Sequence, residues 1–343
     1  MKTIRLGTRS SRLALWQAHW VRNELVKNGV AVEIFPITTT GDKTQSGPIE
    51  KLGAQGVFTK EIQKALLRNE IDLAVHSLKD LPTESIDGLT LAAVPRRENC
   101  QDVFVSSKYS NLAELPNEAN LGTGSLRRQT QIRYIMREHF GKSINVHDIR
   151  GNIETRLQKL ETEHFDAIIL AAAGLKRLDF ENRITSYLPV SLVMPAVGQG
   201  ALGLETRLDD FQTIDSLKSI EDQPSHLAVL AERSFLLTLQ GGCIAPIAAL
   251  ATLVCDSSNA WQLKLQGRIL SLDSSKMFET LLSTPIHFSE STSAEFPSIE
   301  LKRTAEILGN NVAQKLLDLG ASDIVREINQ KRLKSANGTS NLN

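Results

Sequence analysis

The sequence predicts two related α/β domains followed by a smaller α+β domain, and three observations carry that expectation. At 343 residues the chain exceeds what a single hydrophobic core usually serves. Two short apolar runs, Ile71-Asp72-Leu73-Ala74-Val75 and Asp166-Ala167-Ile168-Ile169-Leu170-Ala171, each follow a segment of helical periodicity, as in a sheet covered on both faces. After Gln223-Pro224-Ser225 the texture changes to three β-rich stretches and a closing helix.

Taken in order, Leu6-Gly7-Thr8-Arg9-Ser10 reads as a strand running into a helix N-terminus. Phe58, Ile62, Ala65 and Leu66 share a helical face ahead of the first apolar run. Proline punctuates a hinge at Val94-Pro95-Arg96-Arg97. Leu121-Gly122-Thr123-Gly124-Ser125 then echoes the first strand, and Ile153, Leu157 and Leu160 form a helical face before the second apolar run. The echoes come in the same order and fit a duplicated domain, although five-residue echoes also arise by chance. A second hinge falls at Met194-Pro195-Ala196-Val197-Gly198-Gln199-Gly200. A helix over 225–239 leads into LQGGCIAP at 239–246, followed by β-rich stretches at 247–255, 261–272 and 276–282 that are separated by Asp-Ser-Ser turns. A helix over 301–319 and a polar tail close the chain.

Composition narrows the function. A formal net charge of zero argues against nonspecific nucleic-acid binding as the main role. No apolar run is long enough for a membrane span. Arginines interrupt the N-terminal segment where a signal peptide needs an apolar core, so a cytoplasmic location is expected. Three scattered cysteines, Cys100, Cys243 and Cys255, predict neither a disulfide framework nor a zinc site.

Four features could carry chemistry. The two Gly-Thr-x-Ser turns have the logic of helix caps, and the same backbone N–H groups form an anion site; arginines flank both turns. Eight arginines lie between 122 and 183, and their planar forks suit a ligand with several carboxylates. HSLKDLP at 76–82 delivers polar groups to the carboxyl edge of a buried strand, where open α/β sheets bind ligands. There Asp80 is either a proton-moving carboxylate or half of a surface pair with Lys79, while His76 reads as a hydrogen-bonded core residue. Cys243 follows Gly241 and Gly242. Either Gly241 merely ends a helix in the left-handed conformation, or the two glycines thin the backbone so that a ligand reaches the sulfur. The negative end of a helix dipole disfavours a thiolate, so such a thiol would react with a strong electrophile, or once.

TRSSRLALWQA, GVFTKE, DLAVHSLKDLP, GTGSLRRQ, RGNIETRL, AIILAAAGLKRL, PAVGQGALGLE and GGCIAP occur in this order from residue 8 to residue 246. In these motifs the chain resembles the porphobilinogen deaminase family. The resemblance implies two α/β domains like type II periplasmic binding proteins, with mixed, mainly parallel sheets, and a third domain with a three-stranded antiparallel sheet. The expected boundaries are 1–96 with 197–218, then 97–196, then 219–330, with a disordered tail at 331–343. The implied reaction joins four porphobilinogen molecules head to tail with loss of ammonia. It also implies a dipyrromethane cofactor held by a thioether to Cys243, a cytoplasmic monomer, and no metal, membrane or nucleic-acid partner. Asp80 would be catalytic. Arg9, Ser11, Arg127, Arg128, Arg150, Arg156 and Arg177 would hold carboxylates, assisted by Ser77, Lys79, Thr123, Ser125 and Gln199. Three positions depart from the family pattern: Gln55, Gly124 and Arg12 stand where Lys, Ser and Pro are common. Two other readings stand beside this one. A non-catalytic anion-binding protein would use the same cleft but has no need of the thiol. A nucleic-acid binder using Arg96-Arg97 and Arg127-Arg128 sits poorly with zero net charge.

Overall fold

A computed structural model describes residues 2–38, 59–240, 245–288 and 296–337. Gln55, the Gly56-Val57-Phe58 stretch and the Gly241, Gly242 and Cys243 positions lie outside the described residues. Two five-stranded mixed sheets share one design. The first has the order β2-β1-β3-β10-β4, built from β1 (Ile4–Arg9), β2 (Val32–Ile37), β3 (Leu73–Ser77), β4 (Leu89–Ala93) and β10 (Leu202–Arg207). The second has the order β7-β6-β8-β5-β9, built from β5 (Asp102–Val105), β6 (Ala119–Gly122), β7 (Ile144–His147), β8 (Ala167–Ala171) and β9 (Ser186–Tyr187). In each sheet three strands are parallel, and the fourth position is taken by a strand antiparallel to both neighbours.

The sequence echoes occupy matching places in these sheets. Leu6 and Leu121 sit on β1 and β6, and each pairs with the first residue of the next parallel strand, Leu73 or Ala167. The preceding aspartates do the same work. Asp72 Oδ2 accepts the Arg5 backbone N–H at 3.0 Å, and Asp166 Oδ2 accepts that of Asn120 at 2.8 Å. Asp72 is fully buried, and its side chain also holds Lys2, Arg5 and Arg207. Burial alone would raise its pKa, but Arg5 and Lys2 hold it well below the usual carboxylate range. Its contribution to stability is therefore complete above the unfolded value of about 3.9 and lost on acidification below it. Asp72→Ala is expected to cost about 2 kcal/mol in denaturant titration, because the Arg5 backbone N–H and three partly exposed cations lose their shared acceptor.

Helices cover both sheets. In α1 (Arg12–Lys27), Ala14, Ala18, Val21 and Leu25 form the buried face. The further helices of these two units are α2 (Lys60–Leu67), α3 (Leu126–Phe140), α4 (Ile153–Thr162), α5 (Ala172–Arg177) and α6 (Phe211–Ser216). The chain crosses between the sheets twice, near residues 94–101 and 188–201, and the crossings are tied by the Glu98 N–H donating to Gly200 O at 3.2 Å. Gly200 has φ +88, and any Cβ there would collide with the Glu98 carbonyl oxygen, so this contact requires glycine.

The third unit is α+β as expected. Helix α7 (Gln223–Thr238) and helix α8 (Ile299–Leu316) pack on an antiparallel sheet β11-β12-β13, formed by Ile247–Cys255, Trp261–Leu270 and Met277–Ile286. Phe235, Leu265, Ile269 and Val312 lie at its centre. Gln240, after α7, has φ 52, and Gly241, the expected left-handed cap, lies outside the described residues. The end of the chain is not a tail from 331: after a kink at Gly320, helix α9 (Ser322–Asn337) runs on, and only 338–343 lie outside the described residues.

Candidate active site

The site gathers at the carboxyl edges of the parallel strands. At the end of β1, Ser11 caps α1 by accepting the Ala14 N–H at 3.4 Å. At the end of β3 the chain enters a 3-10 turn, Leu78–Asp80. Leu78 is buried against Leu81, Val94 and Ala201, which fixes the turn. His76 faces the core, 3.0 Å from Glu205, which also accepts a bond from Gln63. It is the core histidine the sequence suggests. Ser77 Oγ accepts from Gln17 Nε2 at 2.8 Å. Lys79 is half-buried, and Asp80 is exposed with no hydrogen bond to any described residue. Arg9, Ser11, Gln17, Ser77 and Asp80 line one cleft.

The second sheet contributes a buried cluster of charge. Arg127 and Arg128 occupy the first turn of α3 and are 4 % and 5 % exposed. Both meet Asp102, the first residue of β5. Arg128 Nε and Nη2 donate to Asp102 Oδ1 at 3.0 and 2.7 Å, and Arg127 Nη1 lies 2.8 Å from Oδ2. Gln199, from the second crossing, donates to the same Oδ1 at 2.9 Å. Burial would raise the Asp102 pKa, but Arg127 and Arg128 hold it far below the usual carboxylate range. Arg127 Nε is buried without a hydrogen-bond partner. That orphaned donor, beside two guanidiniums sharing one carboxylate, fits a ligand carrying carboxylates.

Arg150 pairs with Asp148 at 2.6 Å, and Arg156 Nε donates to Gly151 O at 2.8 Å. Burial, then Arg128 and Arg150, lower the Arg156 pKa to about 10, so these cations stand close enough to repel. Burial likewise lowers Lys79 to about 8, opposed by Asp80. Folding thus makes Lys79 costly in its charged form: the cost is present below pH 8 and relieved as pH rises from there to the unfolded value. Anion affinity should run the other way and weaken as pH rises through about 8, which a phosphate titration at several pH values measures.

The structure brings most expected residues together but gives them unequal positions. Thr123 is fully buried and its Oγ1 accepts from Ser125 N at 3.4 Å, whereas the Ser125 side chain makes no cap bond. Arg177 lies apart, at the crossing: it donates to Gly200 O at 2.7 Å, faces the Trp16 ring at 6.0 Å, and burial lowers its pKa to about 10. Gly124, where the resemblance favours Ser, has Ile149 O 3.0 Å from the position of a Cβ, which leaves little room for a side chain. Arg12 reaches across to Glu154 of α4 at 3.0 Å. Sequence reasoning missed Asp102. Its only signal was an acid heading a short apolar run, Asp102-Val103-Phe104-Val105.

A cleft holding Arg9 and Asp80, with Lys79, Arg128 and Arg156 close enough to one another and to Asp80 to interact electrostatically, suits a protein that holds a small molecule with several negative charges. The comparisons with known proteins are more specific. Residues 4–215 match the family model described as porphobilinogen deaminase, dipyromethane cofactor binding domain, and residues 226–318 match the C-terminal domain of the same family. The porphobilinogen deaminase of Geobacter metallireducens is 42% identical over 334 residues, covering 97% of this chain and 96% of that protein. That of Brevibacillus brevis is 43% identical over 328 residues, covering 94% and 97%. The chain belongs to the porphobilinogen deaminase family. A putative methionine-binding lipoprotein of Bacillus subtilis covers 65% of this chain and 92% of its own at 13% identity, with a TM-score of 0.39, too remote to inform the site.

Proposed function

We propose that the protein is a transferase that condenses four porphobilinogen molecules head to tail, releasing ammonia at each step, and then frees linear hydroxymethylbilane by hydrolysis. Family membership over nearly the whole chain supports this reading. The observation that carries it is the half-compensated Arg127–Arg128–Asp102 cluster with the orphaned Arg127 Nε. Substrate and growing chain bear acetate and propionate groups, so each addition brings more charge to be held.

The dipyrromethane, tethered through Cys243, supplies when bound the pyrrole carbon to which each substrate is joined. Arg127, Arg128, Arg150, Arg156 and Lys79 would hold its carboxylates and those of the substrate, with Arg9, Ser11, Ser77, Thr123 and Ser125 completing the cleft and Gln199 bracing the arginines. In this reading Arg177 acts at the crossing, where it steadies the approach of the two sheets. Asp80 offers a free carboxylate beside these cations. It balances the positive azafulvene left when ammonia departs from the substrate, pairs with pyrrole N–H groups, and takes up the proton released when the new bond forms.

The division into 1–96 with 197–218, 97–196 and 219–330 is supported by the assignment of strands to three separate sheets. The family resemblance supports a cytoplasmic monomer, zero net charge speaks against nonspecific nucleic-acid binding, and no helix among the described residues is long and apolar enough to cross a bilayer. The test is direct. Purified protein is incubated with porphobilinogen, and ammonia and linear tetrapyrrole are quantified at a ratio of about four to one. Absence of both products would refute the assignment.

A further inference from the structure

We propose that Asp102 is a positioning residue of the anion site: it fixes the planes of the Arg127 and Arg128 forks, keeps one unit of positive charge uncompensated, and acts on the ligand only through them. The inference rests on the functional reading above for the identity of the ligand, but not for the geometry.

Strand direction explains how Asp102 comes to be there. β5 runs antiparallel to β8, and Asp102 pairs with Ala171, the last residue of that strand. The first residue of β5 therefore lies at the edge where the parallel strands end. The carboxylate is held mainly through Oδ1, which accepts two bonds from Arg128 and one from Gln199, while Oδ2 lies 2.8 Å from Arg127 Nη1 as an ion pair without a hydrogen bond of its own. Arg127 is also held by Met194 O at 2.5 Å and Arg128 by Ile169 O at 3.0 Å, so neither fork is free to rotate. Lys79 senses the same carboxylate.

The sister sheet shows that the fold itself does not ask for this acid. There β10 runs antiparallel to β3, and the residue opposite the last one, Ser77, is Leu202. Counted from the Leu-Gly-Thr echo, Leu13 stands where Arg128 does. One half of the molecule thus carries an apolar pair at the positions where the other carries a buried ion pair. A buried ion pair is weak as a stabilising device, and apolar residues of similar volume often serve stability as well. Two guanidiniums sharing one carboxylate, with Arg127 Nε left unpartnered, instead make a preorganised anion receptor.

Full-length Cys243→Ser protein, which cannot hold the primer, is titrated calorimetrically with inorganic phosphate, with and without Asp102→Asn. Primed protein, with and without Asp102→Asn, is assayed for porphobilinogen consumption across about pH 6–10. Removing one negative charge beside two cations should tighten phosphate binding by about tenfold. Loss of the fixed fork geometry should lower turnover by at least about tenfold. The alkaline limb should move to lower pH, because Lys79 loses an anion that favours its charged form. A folded Asp102→Asn protein with wild-type phosphate affinity, turnover and alkaline limb would overturn the proposal. So would losses in binding and turnover that only track a loss of folded protein by circular dichroism. Should the Asn variant not fold, Asp102→Glu decides: it keeps the charge and shifts the carboxylate, so phosphate affinity should stay near wild type while turnover falls, and unchanged turnover overturns the role. The functional reading is judged separately, by whether protein with Asp102 intact consumes porphobilinogen at all; the phosphate arm judges Asp102 even if it does not.

Discussion

Asp80→Asn is expected to leave a folded protein that carries its primer but turns over porphobilinogen at least about a hundredfold more slowly. Asp80 ends the 3-10 turn after β3, exposed and without a hydrogen bond to any described residue. The turn is anchored by buried Leu78, so the amide should cost no more than about 0.5 kcal/mol of stability. What is lost is charge. An amide cannot balance the cation formed as ammonia leaves, and it cannot accept the proton released afterwards. A primer-bearing variant, verified by intact mass and melting temperature, isolates that chemical deficit. Turnover within a few-fold of wild type would remove Asp80 from the mechanism.

Cys243→Ser should abolish both the covalent primer and activity. Intact mass then equals the bare polypeptide, where the wild type exceeds it by two pyrrole units. Residues 241–244 lie outside the described residues, and buried residues stand close on either side of them. Leu239 is 1% exposed at the end of α7 and Ala245 is 6% exposed ahead of β11. The cysteine therefore belongs to a short span between two buried anchors. A serine hydroxyl is far less nucleophilic than a thiol near neutral pH, so it should not capture the electrophile. A Ser variant that still gains the mass of two pyrroles would show that the tether lies elsewhere.

Much of this was legible in the sequence. The apolar runs headed by Asp72 and Asp166 became central parallel strands, and the Leu-Gly-Thr echo marked equivalent strands of two sheets. Those signals are local, set by periodicity and backbone requirements. Asp102 was not legible. It heads an apolar run as Asp72 and Asp166 do, yet they mark the edge away from the site and it marks the edge beside it. The difference is strand direction, which depends on partners far along the chain. Arg177 stands among the arginines expected to hold carboxylates, and its bond to the Gly200 carbonyl, which ties it to the second crossing, could not be read from residue type. Helix α9 was missed because a polar, weakly patterned end offers little apolar stripe to read.

The placement of β10 has a consequence for biogenesis. This strand lies between β3 and β4, yet it is encoded after every strand of the other sheet. When a ribosome has extruded β4, the first sheet still has a gap with two unsatisfied edges. At common elongation rates the missing strand arrives on the order of ten seconds later. Until then the nascent chain presents sticky backbone to its neighbours, so cotranslational protection by a chaperone matters most in that interval.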